Sequence, residues 1–80
     1  MEKAYILVNS EGGKLWDIAK AAAKVEGVKM TDAVTGEFDV IVYAELDDLS
    51  KLGKLVNDIR SIDGVTRTQT CIAISYFVSP

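Results

Sequence analysis

The sequence predicts an α+β sandwich with element order βαββαβ, and two observations predict it. First, the phrase Val25-Glu26-Gly27-Val28 returns later as Ile62-Asp63-Gly64-Val65. Each phrase ends a helix-like run and opens a strand-like run. Glycine suits a left-handed helix stop because it has no Cβ to clash there. The valine that follows suits extended chain. The chain therefore reads as two copies of strand, helix, glycine stop, strand. Second, only a tight turn, Thr35-Gly36-Glu37, separates the two copies. So short a link implies an antiparallel hairpin.

The elements follow in order. Ala4 to Asn9 reads as strand one, and Ser10-Glu11-Gly12-Gly13 as a loop. Lys14 to Val25 reads as helix one, with Leu15, Ile18, Ala19, Ala22 and Val25 on one face at spacings of three and four. Val28 to Val34 is strand two, with Val28, Met30, Asp32 and Val34 on one side and Lys29, Thr31 and Ala33 on the other, a mixed pattern that suits an edge. Phe38 to Ala44 is strand three. Asp47 or Asp48 then caps helix two, since either carboxylate can accept from free backbone N–H groups. That helix runs to about Ser61, with Leu49, Leu52, Val56 and Ile59 as its buried stripe. Gly53 sits inside it, where it would permit close approach of another segment. Val65 to about Phe77 is strand four.

Two βαβ units joined by a hairpin imply a ferredoxin-like sandwich, a four-stranded antiparallel sheet with two helices on one face. Right-handed crossovers put both helices on that one face, and strands one and three lie in the middle. All of residues 1–80 is expected to form this single domain.

Two helices cover one side of such a sheet, so the other side should turn polar. Here it does not. Ile6 and Val8 oppose Tyr5 and Leu7, Val40 and Val42 oppose Ile41 and Tyr43, and Ile72, Ile74 and Tyr76 oppose Cys71, Ala73 and Phe77. Whichever set lies under the helices, the other set is also apolar. Burying several hundred Å² of it on each of two subunits contributes on the order of 10 kcal/mol at about 25 cal/mol per Å². Ordering and lost translational freedom offset much of that. The expectation is a dimer that forms through the sheet; the plainer reading is a lone sheet whose second face is covered by the Tyr76-Phe77 tail.

Composition excludes several functions. The 80 residues contain no histidine and one cysteine, Cys71. The commonest general base and the commonest metal ligand are thus missing, and no internal disulfide is possible. The net charge is −3 and the lysines are scattered. No basic run or aromatic-plus-basic platform invites a nucleic acid. No segment is long and apolar enough to span a bilayer, and Glu2-Lys3 leads straight into a strand rather than a signal peptide. The expectation is a cytoplasmic protein without a cofactor.

Few motifs carry chemistry. Gly12-Gly13-Lys14 precedes a helix start, which attracts anions, yet Leu15 stands where a phosphate loop needs Ser or Thr. Glu45, Asp47 and Asp48 form an acidic cluster that capping and solvation explain more simply than a metal. Trp16 lies off the apolar face of helix one. Cys71 reads as a small core or interface residue. The most specific string is Thr35-Gly36-Glu37-Phe38-Asp39, a turn with nearby carboxylates and exposed carbonyls that suits a ligand's ammonium group.

That string, set between strand Val28–Val34 and Val40-Ile41-Val42, resembles the ligand-binding half of the Lrp/AsnC family, the RAM domain. Ile62-Asp63-Gly64-Val65 followed by Thr66-Arg67-Thr68-Gln69-Thr70 resembles that family's closing strand. The resemblance runs from Ala4 to about Tyr76 and implies a stand-alone form without the helix-turn-helix of full-length members. It further implies sheet-to-sheet dimers that close into rings, commonly octamers. A small amino-acid effector would bind between dimers, and co-assembly with a full-length regulator is implied as well. Carried over, the ligand-binding candidates are Thr35, Gly36, Glu37, Phe38 and Asp39, together with Thr68 and Thr70. Two other readings stay open: an ACT-like module, which shares this topology and would bind an amino acid at Ser10 to Lys14, and a purely structural homo-oligomer.

Overall fold

The computed structural model describes residues 1–74. Its elements are β1 (Glu2–Ser10), α1 (Leu15–Ala22), β2 (Val28–Ala33), β3 (Val40–Leu46), a 3₁₀ turn (Leu49–Lys51), α2 (Leu52–Arg60) and β4 (Val65–Ile72). The four strands form one antiparallel sheet in the order β2-β3-β1-β4. The expected βαββαβ order and the central placement of β1 and β3 are both borne out.

The even-numbered residues of the central strands take the helix side. Ala4, Ile6 and Val8 join Val40, Val42, Ala44 and Leu46 in one core cluster with Ile18 and Ala22 of α1 and Leu55 and Ile59 of α2. Complete burial of Ile6, Val8, Val40 and Val42 fixes the register, because a one-residue slip would turn each of them out to water. Both repeated glycines are left-handed, Gly27 at φ +95° and Gly64 at φ +96°.

Helix boundaries differ from the sequence reading. α1 stops at Ala22 rather than Val25, because Lys24 and Val25 donate to Ala21 and Ala22 in tighter i→i−3 bonds. Asp48, not Asp47, is the cap at the other helix, accepting from the Ser50 N–H at 2.8 Å. What it caps is the 3₁₀ turn. The tighter winding there shifts the phase of the stripe. Leu49 is left 47% exposed, and Leu55, absent from the expected stripe, is buried beside Ile59. A Cβ on Gly53 would meet nothing within 4 Å, so among the described residues no segment approaches it closely.

The strands differ in detail. β3 begins at Val40 instead of Phe38. In β2, Val28 pairs with Ala44 and Met30 with Tyr43, so Lys29 is an extra residue. The bulge puts Val28 against the core and Met30 on the opposite side, correcting the expectation that they share a face. β4 ends at Ile72, with one further bond from the Ala73 N–H to the Lys3 carbonyl at 2.8 Å. Its expected continuation to Phe77, and the Tyr76-Phe77 tail, lie outside the described residues.

The face away from the helices is apolar, as expected. Tyr5 and Tyr43 stand opposite each other with ring centroids 5.2 Å apart, and Leu7 stands opposite Ile41. Cys71 lies across from Tyr5 on the other flank, half-buried. Tyr5 is 40% and Met30 53% exposed. Lys3, Glu45, Asp32 and Arg67 continue these rows at the margins, by pairing and alternation. Among the described residues nothing covers this surface.

Candidate functional site

The hairpin between β2 and β3 is the structural centre of the expected site. The Val34 N–H donates to the Asp39 carbonyl at 2.9 Å and closes the turn. Thr35, Gly36 and Glu37 stand exposed at its tip, while Phe38 and Asp39 are half-buried. Neighbouring strands hold the turn at three points. Asn9 Nδ2 donates to the Glu37 carbonyl at 2.7 Å. Asp39 Oδ2 accepts from the Ser10 N–H at 2.9 Å and the Ser10 hydroxyl at 3.3 Å. The Arg67 guanidinium lies 5.7 Å from the centroid of the Phe38 ring, within cation–π range.

Asp39 is thus half committed. One carboxylate oxygen ties the residue before β3 to the end of β1. Thr68 and Thr70 pair with Val8 and Ile6 and so lie on the helix side of β4. Thr68 joins Arg60, Val65, Thr66 and Arg67 around a cleft of about 390 Å³. Thr70 sits two residue pairs farther from the turn. Asn9, Arg60 and Arg67 are residues here that sequence reasoning left out, and Ser10 enters that reasoning only in the ACT-like site. Only Arg67 had a visible signal, as the one cation within the Thr66 to Thr70 string.

The ACT-like location has a different geometry. The Glu11 N–H donates to the Gly64 carbonyl at 2.8 Å, and Lys14 Nζ meets Asp63 Oδ2 at 2.8 Å. Their hydrogen bond and attraction hold the Lys14 amine above its usual range and the Asp63 carboxyl below its own. The loop from Ser10 to Lys14 is in this way fastened to the entrance of β4. A larger cleft, about 480 Å³, opens at the other end of the sheet beside Gly27, Leu46 and Leu55. Four of its charged residues pair, Lys51 with Asp47 at 2.9 Å and Lys54 with Asp58 at 2.8 Å. Of the acidic cluster, Glu45 accepts from the Tyr43 hydroxyl and Asp48 caps the 3₁₀ turn. Among the described residues no set of side chains is arranged to hold a metal ion, and no helix is long and apolar enough to cross a membrane.

The chain matches the family model of the Lrp/AsnC ligand binding domain over residues 3–79. It is 34% identical over 71 residues to an HTH-type transcriptional regulator of Pyrococcus horikoshii, covering 89% of this chain and 48% of the relative. The chain therefore spans about half the length of that regulator. Among solved structures, the protein TTHA0845 from Thermus thermophilus superposes with a TM-score of 0.87 at 29% identity, over 92% of this chain and 94% of that one. The transcriptional regulator NMB0573 from Neisseria meningitidis, solved as an L-Met complex, superposes with a TM-score of 0.81 at 27% identity, over 94% of this chain and 51% of that one.

Proposed function

The chain belongs to the Lrp/AsnC family of ligand-binding domains, and on that premise we propose that it is a self-assembling effector module rather than an enzyme. Copies pair through the open sheet face, and pairs join into rings, octamers by the family's pattern. A small amino acid sits between pairs against the hairpin tip, in contact with Thr35 to Asp39 and with Thr68 and Thr70. A ligand that fits only the assembled form draws the population toward that form. Co-assembly with a full-length regulator in the cytoplasm would pass the change on to transcription.

The observation that carries this reading is the uncovered apolar face of Tyr5, Leu7, Met30, Ile41 and Tyr43. A contiguous surface of that kind marks an interaction site. The L-Met in the Neisseria complex supports an amino acid as the ligand class. The hairpin also fits the role, because its tip is exposed while its base is bonded to β1.

A thermal-shift panel of free amino acids, L-methionine first, tests the effector. At a hundred times its dissociation constant a ligand adds about 2.7 kcal/mol. In a domain of this size that is a rise of roughly 10 °C or more. The Asp39→Ala variant should lose most of the rise while its sedimentation is unchanged. Loss of the response in Gly13→Ala alone favours the ACT-like location. No rise with any amino acid leaves a structural homo-oligomer.

A further inference from the structure

We propose that two copies pair with their strands running in the same direction, so that Lys3 of each meets Glu45 of the other, an inference that rests on the reading above that copies pair through the open face. Lys3, Tyr5 and Leu7 of β1 stand across from Glu45, Tyr43 and Ile41 of β3. On the flanks, β4 carries Cys71 and Gln69 level with Tyr5 and Leu7, and β2 carries Met30 and Asp32 level with Tyr43 and Ile41. The middle of the face is therefore apolar, and Lys3 and Glu45 close it at the end away from the hairpin. Among the described residues neither of these two charges has an ionic partner. They are cross-strand neighbours, yet Glu45 accepts from the Tyr43 hydroxyl at 2.8 Å and makes no ion pair with Lys3.

Sheets that pack face to face with aligned strands lie about 10 Å apart. The two-fold axis between two such copies runs either along the strands or across them. An axis along the strands, midway between β1 and β3, lays β1 over the partner's β3 and β2 over the partner's β4. Residues keep their level. Lys3 then faces the partner's Glu45, Tyr5 faces the partner's Tyr43, and Leu7 faces the partner's Ile41. Two lysines and two glutamates meet around the axis with alternating sign. On the flank, the long Met30 side chain faces the partner's small Cys71, and Asp32 lies over the strand that carries the partner's Arg67. An axis across the strands lays each strand over its own copy, end for end. Lys3 then faces the partner's Asn9, Asp32 faces the partner's Met30, and Arg67 faces the partner's Ala73. Each of those charges loses water and gains no opposite charge, which is unfavourable. Opposite charges across an interface fix its register, and only the first arrangement supplies them.

Two charge reversals test the pairing by sedimentation velocity of the full chain in the micromolar range. Lys3→Glu alone and Glu45→Lys alone each set like charges against one another across the axis. Each should raise the dissociation constant of the pair about tenfold or more. Mixed one to one, the two variants should pair with each other as tightly as the parent chain. In the mixture every contact across the axis again joins opposite charges, while the two charges within each chain stay alike. Restoration by mixing thus separates contacts between copies from contacts within one copy. Lys3→Gln, a milder change at an exposed residue, should weaken pairing about threefold or more. Variants that pair as tightly as the parent, or a mixture that pairs no better than its components, overturn this arrangement and leave the sheet-face dimer standing. A parent chain that stays single at every concentration overturns both.

Discussion

Replacing Gly64 by alanine should cost this fold far more than the same change at Gly27, although the two glycines occupy equivalent points of the repeated phrase. Their backbones match, φ +96° at Gly64 and +95° at Gly27. For an L-residue with a side chain that region costs about 1–3 kcal/mol. Their surroundings do not match. A Cβ on Gly27 would touch Leu46 Cδ2 at 3.4 Å and the Glu45 carbonyl at 3.5 Å, which are ordinary contacts. A Cβ on Gly64 would fall 2.7 Å from Lys14 Cβ and 2.9 Å from its Cγ. These atoms are fixed to α1, so the helix start must move, and overpacking of this kind adds about 1–3 kcal/mol. Gly27→Ala should therefore lose about 1–3 kcal/mol and Gly64→Ala about 2–6 kcal/mol. At about 4–8 °C per kcal/mol the second loss is about 8 °C or more in melting temperature. Differential scanning calorimetry at one fixed protein concentration measures both. Equal melting temperatures for the two variants would refute the close packing of Gly64 on Lys14.

Other consequences are simpler. Leu55→Ala should lose about 2–4 kcal/mol in urea unfolding, whereas Leu49→Ala should change stability by less than about 0.5 kcal/mol; the reverse order would restore the stripe read from spacing. Gly53→Ala should raise stability by up to about 1 kcal/mol, because it improves helix propensity in open space. Acid should weaken the fold through Asp47, Asp48 and Asp63. Lys51, the Ser50 N–H and Lys14 respectively hold these carboxyls below the usual 3.8. Folded values below unfolded ones mean that the stability they add is present above about pH 4 and is lost as pH falls through the folded values. The urea midpoint should accordingly decline once the pH is below about 4, and decline less in Asp48→Ala than in the parent chain.

Much of this was legible in the chain. The two glycine phrases located both helix ends to within a few residues, and alternation in β1 and β3 revealed two apolar faces before any pairing was known. What stayed hidden depends on pairing or phase. The Lys29 bulge exists only relative to β3, so spacing alone placed Val28 and Met30 on one face. The 3₁₀ turn after Asp48 winds more tightly than an α-helix, so counting by threes and fours chose Leu49 and passed over Leu55. At the site, the hairpin string drew attention through its own turn chemistry. Its fastenings to Asn9, Ser10 and Arg67 span about thirty residues and become visible only once β1 lies between β3 and β4.

The uncovered sheet face is tested most directly by sedimentation velocity of the purified chain from low to high micromolar concentration. The expected species is twice the 8.7 kDa chain mass or a higher even multiple, and Tyr5→Lys with Ile41→Lys should break it down to single copies. An 8.7 kDa species at every concentration, with no change in the doubly substituted chain, would contradict pairing through that face.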